Sequence, residues 1–253
     1  MGSGTAAGRE IRVTAVRVAG EVARGQDLGV ALARSGVGVS DGDIVVVSQK
    51  AVSKAEGRVV DLAGVRPSSL ALGIASEYGK DARIVELVLS EARRIVRMGH
   101  GVMVTETRGG LVCANSGVDE SNMPPGRAAL LPEDADASAR RVRSEISAAC
   151  GADVGVIVSD TFGRPFRTGQ VDCAIGAAGI EPSADHSGRP DAFGRILRVT
   201  DIAVADEIAG AAELAMEKAS SCPMAVVSGT GLAVGSGAPA ASLLRPARED
   251  LFR

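Results

Sequence analysis

The sequence predicts a mixed α/β (α+β) fold, with strands and helices interleaved but without a strict βαβ rhythm. Ile44-Val45-Val46-Val47 and Val154-Gly155-Val156-Ile157-Val158 are short apolar runs bounded by turn formers or polar residues, the pattern of buried strands. Asp134–Cys150 instead spaces its apolar residues as an amphipathic helix does. Nucleotide-fold fingerprints are missing. Gly73…Gly79-Lys80-Asp81 is one residue too long for a P-loop and lacks the Ser/Thr after lysine. Gly235-Ser236-Gly237 lies too near the C-terminus to open a dinucleotide-binding unit. Rossmann, P-loop and TIM-barrel architectures are therefore not expected.

The elements follow in order. Glu10–Val18 alternates apolar and polar residues as a half-buried strand does, and Ala19–Gln26 reads as a loop. Asp27 is placed to cap a short helix stopping near Gly36. The turn Asp41-Gly42-Asp43 leads into the first apolar run, after which Ser48–Arg58 reads as a polar, glycine-punctuated loop. Ser68 caps a helix closing at Gly79, and Ile84, Leu87, Val88, Ile95 and Val96 carry helical spacing across Ala82–Met98. Gly101–Thr105 and Leu111–Ala114 read as paired strands around Thr107-Arg108-Gly109-Gly110, with Glu106 and Arg108 as a surface ion pair.

Asn115–Arg127 is a long loop rich in turn formers. Asp134 or Asp136 caps the amphipathic helix, Val154–Val158 is the next strand, and Ser159–Asp172 reads as a polar loop at that strand's end. Val171–Ala178 is small and apolar, and Glu181–Gly194 is a polar loop. Ile196–Ala205 alternates as a strand, and Asp206–Ala219 is a helix whose first-turn Asp206 and Glu207 suit the helix dipole. Met224–Val227 is the final strand. No repeat or low-complexity linker marks a domain boundary.

Composition narrows the function. Hydrophobic residues make up 45% of the chain and charged residues 23%, as in an ordinary soluble globular protein. Aromatic residues are only 2% and the net charge is −3 with no long basic run, which argues against nucleic-acid partners. The four cysteines form no CxxC pair and read as reduced core residues. With no apolar run of membrane-spanning length and a small, polar Met1–Gly8, no membrane association is expected and the location is read as cytoplasmic.

Three polar segments after strands can converge on one ligand. The first carries Ser48, Gln49, Lys50 and Lys54, suited to phosphate through hydroxyl donors and a point charge. The second is Gly117–Asn122, with Asp119 a candidate metal ligand and Asn122 a candidate phosphate or base contact. The third, Ser159–Asp172, holds Asp160, Thr161, Arg164, Arg167, Gln170 and Asp172. Its oxygen donors suit Mg²⁺ or Mn²⁺ and its arginines suit phosphate or carboxylate. Asp119 and Asp160 could share one ion and Thr161 could reach a second, as in two-ion phosphoryl transfer. Phe162 and Phe166 read as packing anchors, and His100 and His186 have no partner at metal-ligand spacing.

These segments together resemble the coenzyme F-420-0:γ-glutamyl ligase family. The likeness runs through Val47–Arg58, Thr105–Arg108, Cys113–Asn122, Ser159–Asp172, Ala174–Ile180 and Val204–Glu207, so it covers nearly the whole chain in order. The resemblance implies a family-specific glutamyl ligase fold over residues 1–253, in two intertwined subdomains whose boundary the sequence does not mark. It implies a GTP-dependent amide ligase that adds L-glutamate to a deazaflavin coenzyme precursor through an acyl phosphate, uses two Mn²⁺ or Mg²⁺ ions and K⁺, and works as a homodimer. Carried over by motif, Asp119, Asp160 and Thr161 hold metal. Ala19, Gly20, Glu21, Val22, Ser48, Gln49, Lys54, Asn122, Met216 and Lys218 contact GTP. Lys54, Arg164 and Arg167 are the catalytic candidates, the arginines by holding an acidic substrate. Glu217 stands where the family usually has glycine, which weakens the Leu214–Ser221 contact, and Gly109 replaces a common histidine. No C-terminal nitroreductase-like domain is expected. The residues alone leave open a ligase for another amine and acid, a non-catalytic nucleotide-binding module, and a two-metal phosphohydrolase.

Overall fold

A computed structural model describes residues 8–218 and 220–251. In chain order the elements are β1 (Arg12–Val16), α1 (Leu28–Arg34), β2 (Ile44–Ser48), α2 (Gln49–Glu56), β3 (Val59–Asp61), α3 (Ser69–Tyr78) and α4 (Ala82–Glu91). Then come β4 (Ala92–Gly99), β5 (Val102–Thr107), β6 (Val112–Ala114), β7 (Arg127–Ala129), α5 (Ala135–Cys150) and β8 (Gly155–Arg164). The chain continues through β9 (Arg167–Ala178), β10 (Ala184–Asp185), β11 (Asp201–Ile202), α6 (Val204–Met216) and β12 (Met224–Ser228).

The main sheet has the order β1-β12-β2-β8-β9. Only β2 and β8 run parallel, with Ser48 opposite Ser159, and the other neighbours are antiparallel. Both faces are covered, which is why β2 reads as an unbroken apolar run. Val45 and Val47 face a core shared with Leu28 and Leu32 of α1, Val52 of α2 and Val142 and Ile146 of α5. Ile44 and Val46 face the opposite core, with Ile157, Ala205, Ala209, Ala212 and Met216. Helices α1 and α5 cross closely at Gly29, where a Cβ would run into the Glu145 backbone. There the Glu145 carboxylate accepts from Leu28 N at 2.9 Å. Smaller cores lie under α3 and α4 and beneath the β3–β7 pair.

Several caps fall where expected: Asp27, Ser68 and Asp134 each accept from a backbone N–H of the following helix. Four segments differ. Ser48–Arg58 is the helix α2, capped by Ser48 and closed by Gly57 at φ 73, with Ala51, Val52 and Ala55 turned into the core. Ala82–Met98 is a helix followed by a strand: after Glu91 the β-branched pair Ile95-Val96 lies in β4, paired with β5. Ser159–Asp172 is a β-hairpin, because β8 and β9 stay paired out to Arg164 and Arg167. Ile196–Ala205 contributes only the short β11 and a bridge from Ile196 to Pro190, and Val204 already belongs to α6. The predicted Asp206–Ala219 helix ends at Met216, and its Ala219 lies outside the described residues, as do Met1–Ala7 and Phe252-Arg253.

Glu106 is buried rather than paired on the surface; Arg94 meets its carboxylate at 2.8 Å and Arg93 at 3.5 Å, while Arg108 donates to the Ser90 carbonyl. Phe162 packs on the main core as anticipated, but Phe166 is 89% exposed at the hairpin tip. The four cysteines are free thiols. Burial, with Asp160 nearby, pushes Cys113 up to about 12, and burial pushes Cys173 up to about 11, so neither is a reactive thiolate. No described helix is long and apolar enough to cross a membrane.

Candidate functional site

A cavity of about 1420 Å³ opens at the carboxyl ends of β2 and β8. In open α/β sheets this is the edge where ligands settle. The chain leaving β1, the N-terminus of α2 and the start of β12 reach the same edge, because Val16 pairs with Met224 and Met224 with Val47. Five distant segments thereby meet. Ala19, Gly20, Glu21 and Val22 form one wall, Ser48, Gln49, Lys50 and Lys54 a second. Asn122 closes a third side, Met216 and Lys218 a fourth, and Asp160 and Thr161 stand at the base with Ser159 and Asp172.

The α2 wall is rigid. Gln49 is buried and donates to Ser53 Oγ at 2.7 Å and to the Leu130 carbonyl at 3.0 Å. Because α2 starts at the cavity, its N-terminal, positive dipole end lies at the cavity wall, a setting that favours phosphate. Lys54 Nζ lies 2.7 Å from Glu21 Oε1 and donates to the Asn122 carbonyl at 3.1 Å. The Lys54 ammonium holds the Glu21 carboxyl below its usual range. Asn122, at φ 56, donates in turn to the Lys218 carbonyl at 3.1 Å and ties the loop to the end of α6. Glu217 ends α6 at φ 46, a backbone region that favours the glycine expected there.

Asp119 is fixed by a two-way backbone bridge to Ala129, at 3.1 and 2.8 Å. Its carboxylate accepts from Ser121 N at 2.7 Å and meets Lys50 Nζ at 2.7 Å. Burial pushes the Asp119 carboxyl up, but Lys50 and Ser121 outweigh it and hold the group below its ordinary value. Asp160 differs: burial drives it up to about 7, the Thr161 N–H and Lys50 oppose the rise, and the charges of Asp172 and Asp119 add to it.

Across the hairpin Asp172 accepts from Ser159 Oγ at 3.0 Å and Thr161 Oγ1 at 2.5 Å. Consecutive strand residues face opposite sides, which separates Asp160 from Thr161 and Asp172. The donors are all hard oxygens around an excess of negative charge, so the residues fit Mg²⁺ or Mn²⁺. Among the described residues no three His, Cys, Asp or Glu side chains form a ready ligand cluster. Hydroxyls, water and substrate oxygens would have to complete the coordination of any ion.

Of the sequence candidates, the loop after β1, the α2 residues, Asn122, Met216, Lys218, Asp160 and Thr161 all line the cavity. Asp119 joins it through Lys50. Arg164 and Arg167 stand apart at the exposed hairpin tip, where Arg164 donates to the Thr168 carbonyl at 3.0 Å. The sequence did not single out Asp172 as the acceptor for Ser159 and Thr161. Its signal was available only once Ser159–Asp172 is read as two paired strands.

A lysine-bearing, oxygen-rich cleft of this kind suits an enzyme acting on anionic substrates with a hard cation. A model of the F420-0:Gamma-glutamyl ligase family matches residues 18–229. The chain is 46% identical to the coenzyme F420:L-glutamate ligase of Methanopyrus kandleri over 217 residues, 86% of each chain. It is 45% identical to that of Methanothermobacter thermautotrophicus over 88% of this chain and 89% of the relative. The enzyme of the same name from Methanocaldococcus jannaschii is 44% identical over 85% and 86%. The chain belongs to the F420-0:γ-glutamyl ligase family and is a ligase.

Proposed function

We propose that this ligase adds L-glutamate to coenzyme F-420-0 and then lengthens a γ-linked tail, driven by GTP. The observation that carries the reading is the meeting of the Ala19–Val22 loop, the α2 N-terminus with Lys54, Asn122, and the Asp160-Thr161 pair around one cavity. At about 1420 Å³ it exceeds the roughly 300–1,000 Å³ typical of a single-ligand pocket, leaving room for a nucleotide and a second substrate.

A carboxylate is a poor acyl donor. In the proposed course, a carboxylate oxygen of the acceptor takes the γ-phosphoryl group of GTP and GDP leaves. The glutamate amine then attacks the acyl carbon, inorganic phosphate departs with the bonding pair, and the amine proton is lost. The α2 N-terminus and Lys54 would stabilise charge on the phosphates, and Asn122 would hold the nucleotide side of the cavity. Asp119 and Asp160 would hold one Mn²⁺ or Mg²⁺ and Thr161 would help to hold a second. When bound, the ions supply charge neutralisation to phosphate oxygens. K⁺ is proposed as an aid to the same nucleotide, and Arg164 and Arg167 as acid-binding groups acting from the hairpin tip.

The free cysteines support a reducing, cytoplasmic setting. Exposed Phe166, Phe193 and Val199 support a homodimer, with each subunit built as two subdomains. The test is incubation with GTP, Mn²⁺, L-glutamate and the deazaflavin acceptor, read by mass spectrometry. Successive glutamate-mass adducts are expected from the wild type, with turnover reduced by about 100-fold or more in a folded Asp160→Asn variant. GDP release without any adduct would overturn the ligation reading.

A further inference from the structure

Lys50 occupies an unexpected position for a lysine in a phosphate-binding wall. It sits in the first turn of α2, lines the main cavity beside Ser48, Lys54 and Asp160, and has a side chain only 20% exposed. Yet its ammonium points at the acidic residues. Nζ lies 2.7 Å from Asp119 Oδ2 and donates to Ser121 Oγ at 2.6 Å. Ser121 Oγ in turn donates to the same Asp119 oxygen at 2.9 Å, so that oxygen is fully engaged. Lys54, one turn later in α2, is likewise closed on a carboxylate, that of Glu21. Both lysines of this wall are therefore paired with carboxylates, Lys54 with Glu21 of the cavity lining and Lys50 with Asp119 just behind it.

A divalent ion held by Asp119 through Oδ2 cannot share that oxygen with an ammonium 2.7 Å away, because two positive charges would compete for one carboxylate. Nor can a carboxylate pair such as Asp119 and Asp160 be left without a counter-charge beside a partly buried wall. We propose that Lys50 is a placeholder cation: it neutralises Asp119 while no divalent ion is bound, is displaced when the ion arrives, and is thereby released to the phosphates of the nucleotide. The proposal rests on the assignment of Asp119 and Asp160 to a divalent ion. Its consequence is reciprocal coupling. Anything that draws Lys50 away from Asp119 tightens ion binding, and the ion frees a positive charge for the nucleotide by the same factor.

The experiment measures Mn²⁺ binding to the whole chain without nucleotide, from the free-Mn²⁺ paramagnetic resonance signal, for wild type, Lys50→Met, Lys50→Gln and Asp160→Asn. Circular dichroism checks that each variant is folded, and Lys50→Gln keeps a polar group near Ser121 if Lys50→Met does not fold. Both Lys50 variants are expected to bind Mn²⁺ about five- to tenfold tighter than wild type, and Asp160→Asn at least tenfold weaker. At saturating Mn²⁺ the Lys50 variants are expected to bind GTP about fivefold more weakly than wild type. Unchanged or weaker Mn²⁺ binding in the Lys50 variants, with the Asp160→Asn loss intact, would overturn the placeholder role and leave Lys50 as a staple for the Asp119 loop. Mn²⁺ binding that Asp160→Asn leaves untouched would instead overturn the ion assignment beneath it.

Discussion

The root and the tip of the β8–β9 hairpin are built by the same two strands and meet opposite environments. At the root, Val156, Ile157 and Val158 pair with Ala178, Ala177 and Gly176, and all are buried between the α5 side and the α6 side of the sheet. At the tip, Gly163–Gln170 is exposed throughout, and Phe166 turns the chain at φ 61. The polar residues Ser159, Asp160, Thr161 and Asp172 lie at the transition. There the backbone is still held by the core, while one side opens onto the cavity. A charged cluster needs both conditions: a rigid support to fix its geometry and low local dielectric to strengthen its interactions.

The largest effect on this contrast should come from the root. Ile157 is fully buried in the core under α6, so Ile157→Ala is expected to cost about 2–5 kcal/mol in urea unfolding. A loss near zero would mean that the buried root does not support the sheet.

The transition zone should respond to pH. Asp160 is raised to about 7 in the folded protein, whereas an unfolded aspartate titrates at about 3.9. The folded state therefore binds the extra proton between those values. The stability this contributes is fully present below about 3.9 and is lost as pH rises to about 7. Chemical unfolding of metal-free protein across this window should show a fall with pH that Asp160→Asn removes. Parallel curves for the two proteins would refute the raised value.

The smallest stability effect belongs to the tip. Phe166→Ser should shift the unfolding free energy by less than about 0.5 kcal/mol, since the residue is 89% exposed. In the proposed homodimer it should nonetheless weaken self-association in sedimentation velocity; an unchanged mass distribution would exclude the tip from that proposed contact.

Much of the main sheet was legible in the residues. Unbroken valine and isoleucine runs mark strands covered on both faces, and Asp27, Ser68 and Asp134 mark helix starts by short-range chemistry. The misread segments share a cause. In Ser48–Arg58 the small apolar face Ala51, Val52 and Ala55 was outweighed by polar neighbours, and only packing on the core reveals it as a helix. Ile95 and Val96 fit a helical period as well as a strand, and pairing with β5 settles the matter. Polar strand residues in Ser159–Asp172 resemble a loop until a partner strand supplies their hydrogen bonds.

By itself the sequence determined the local elements, the family likeness and the residue types able to handle phosphate and a hard cation. These depend on neighbours along the chain and on side-chain chemistry. Only the tertiary structure decided which candidates share a cavity. It gathers Lys54, Asn122, Asp160 and Lys218, sets Arg164 and Arg167 apart, and places Lys50 on Asp119 rather than free in the phosphate wall. Those outcomes follow from strand order and register, which bring residues separated by long stretches of chain within hydrogen-bond distance and which no local pattern encodes.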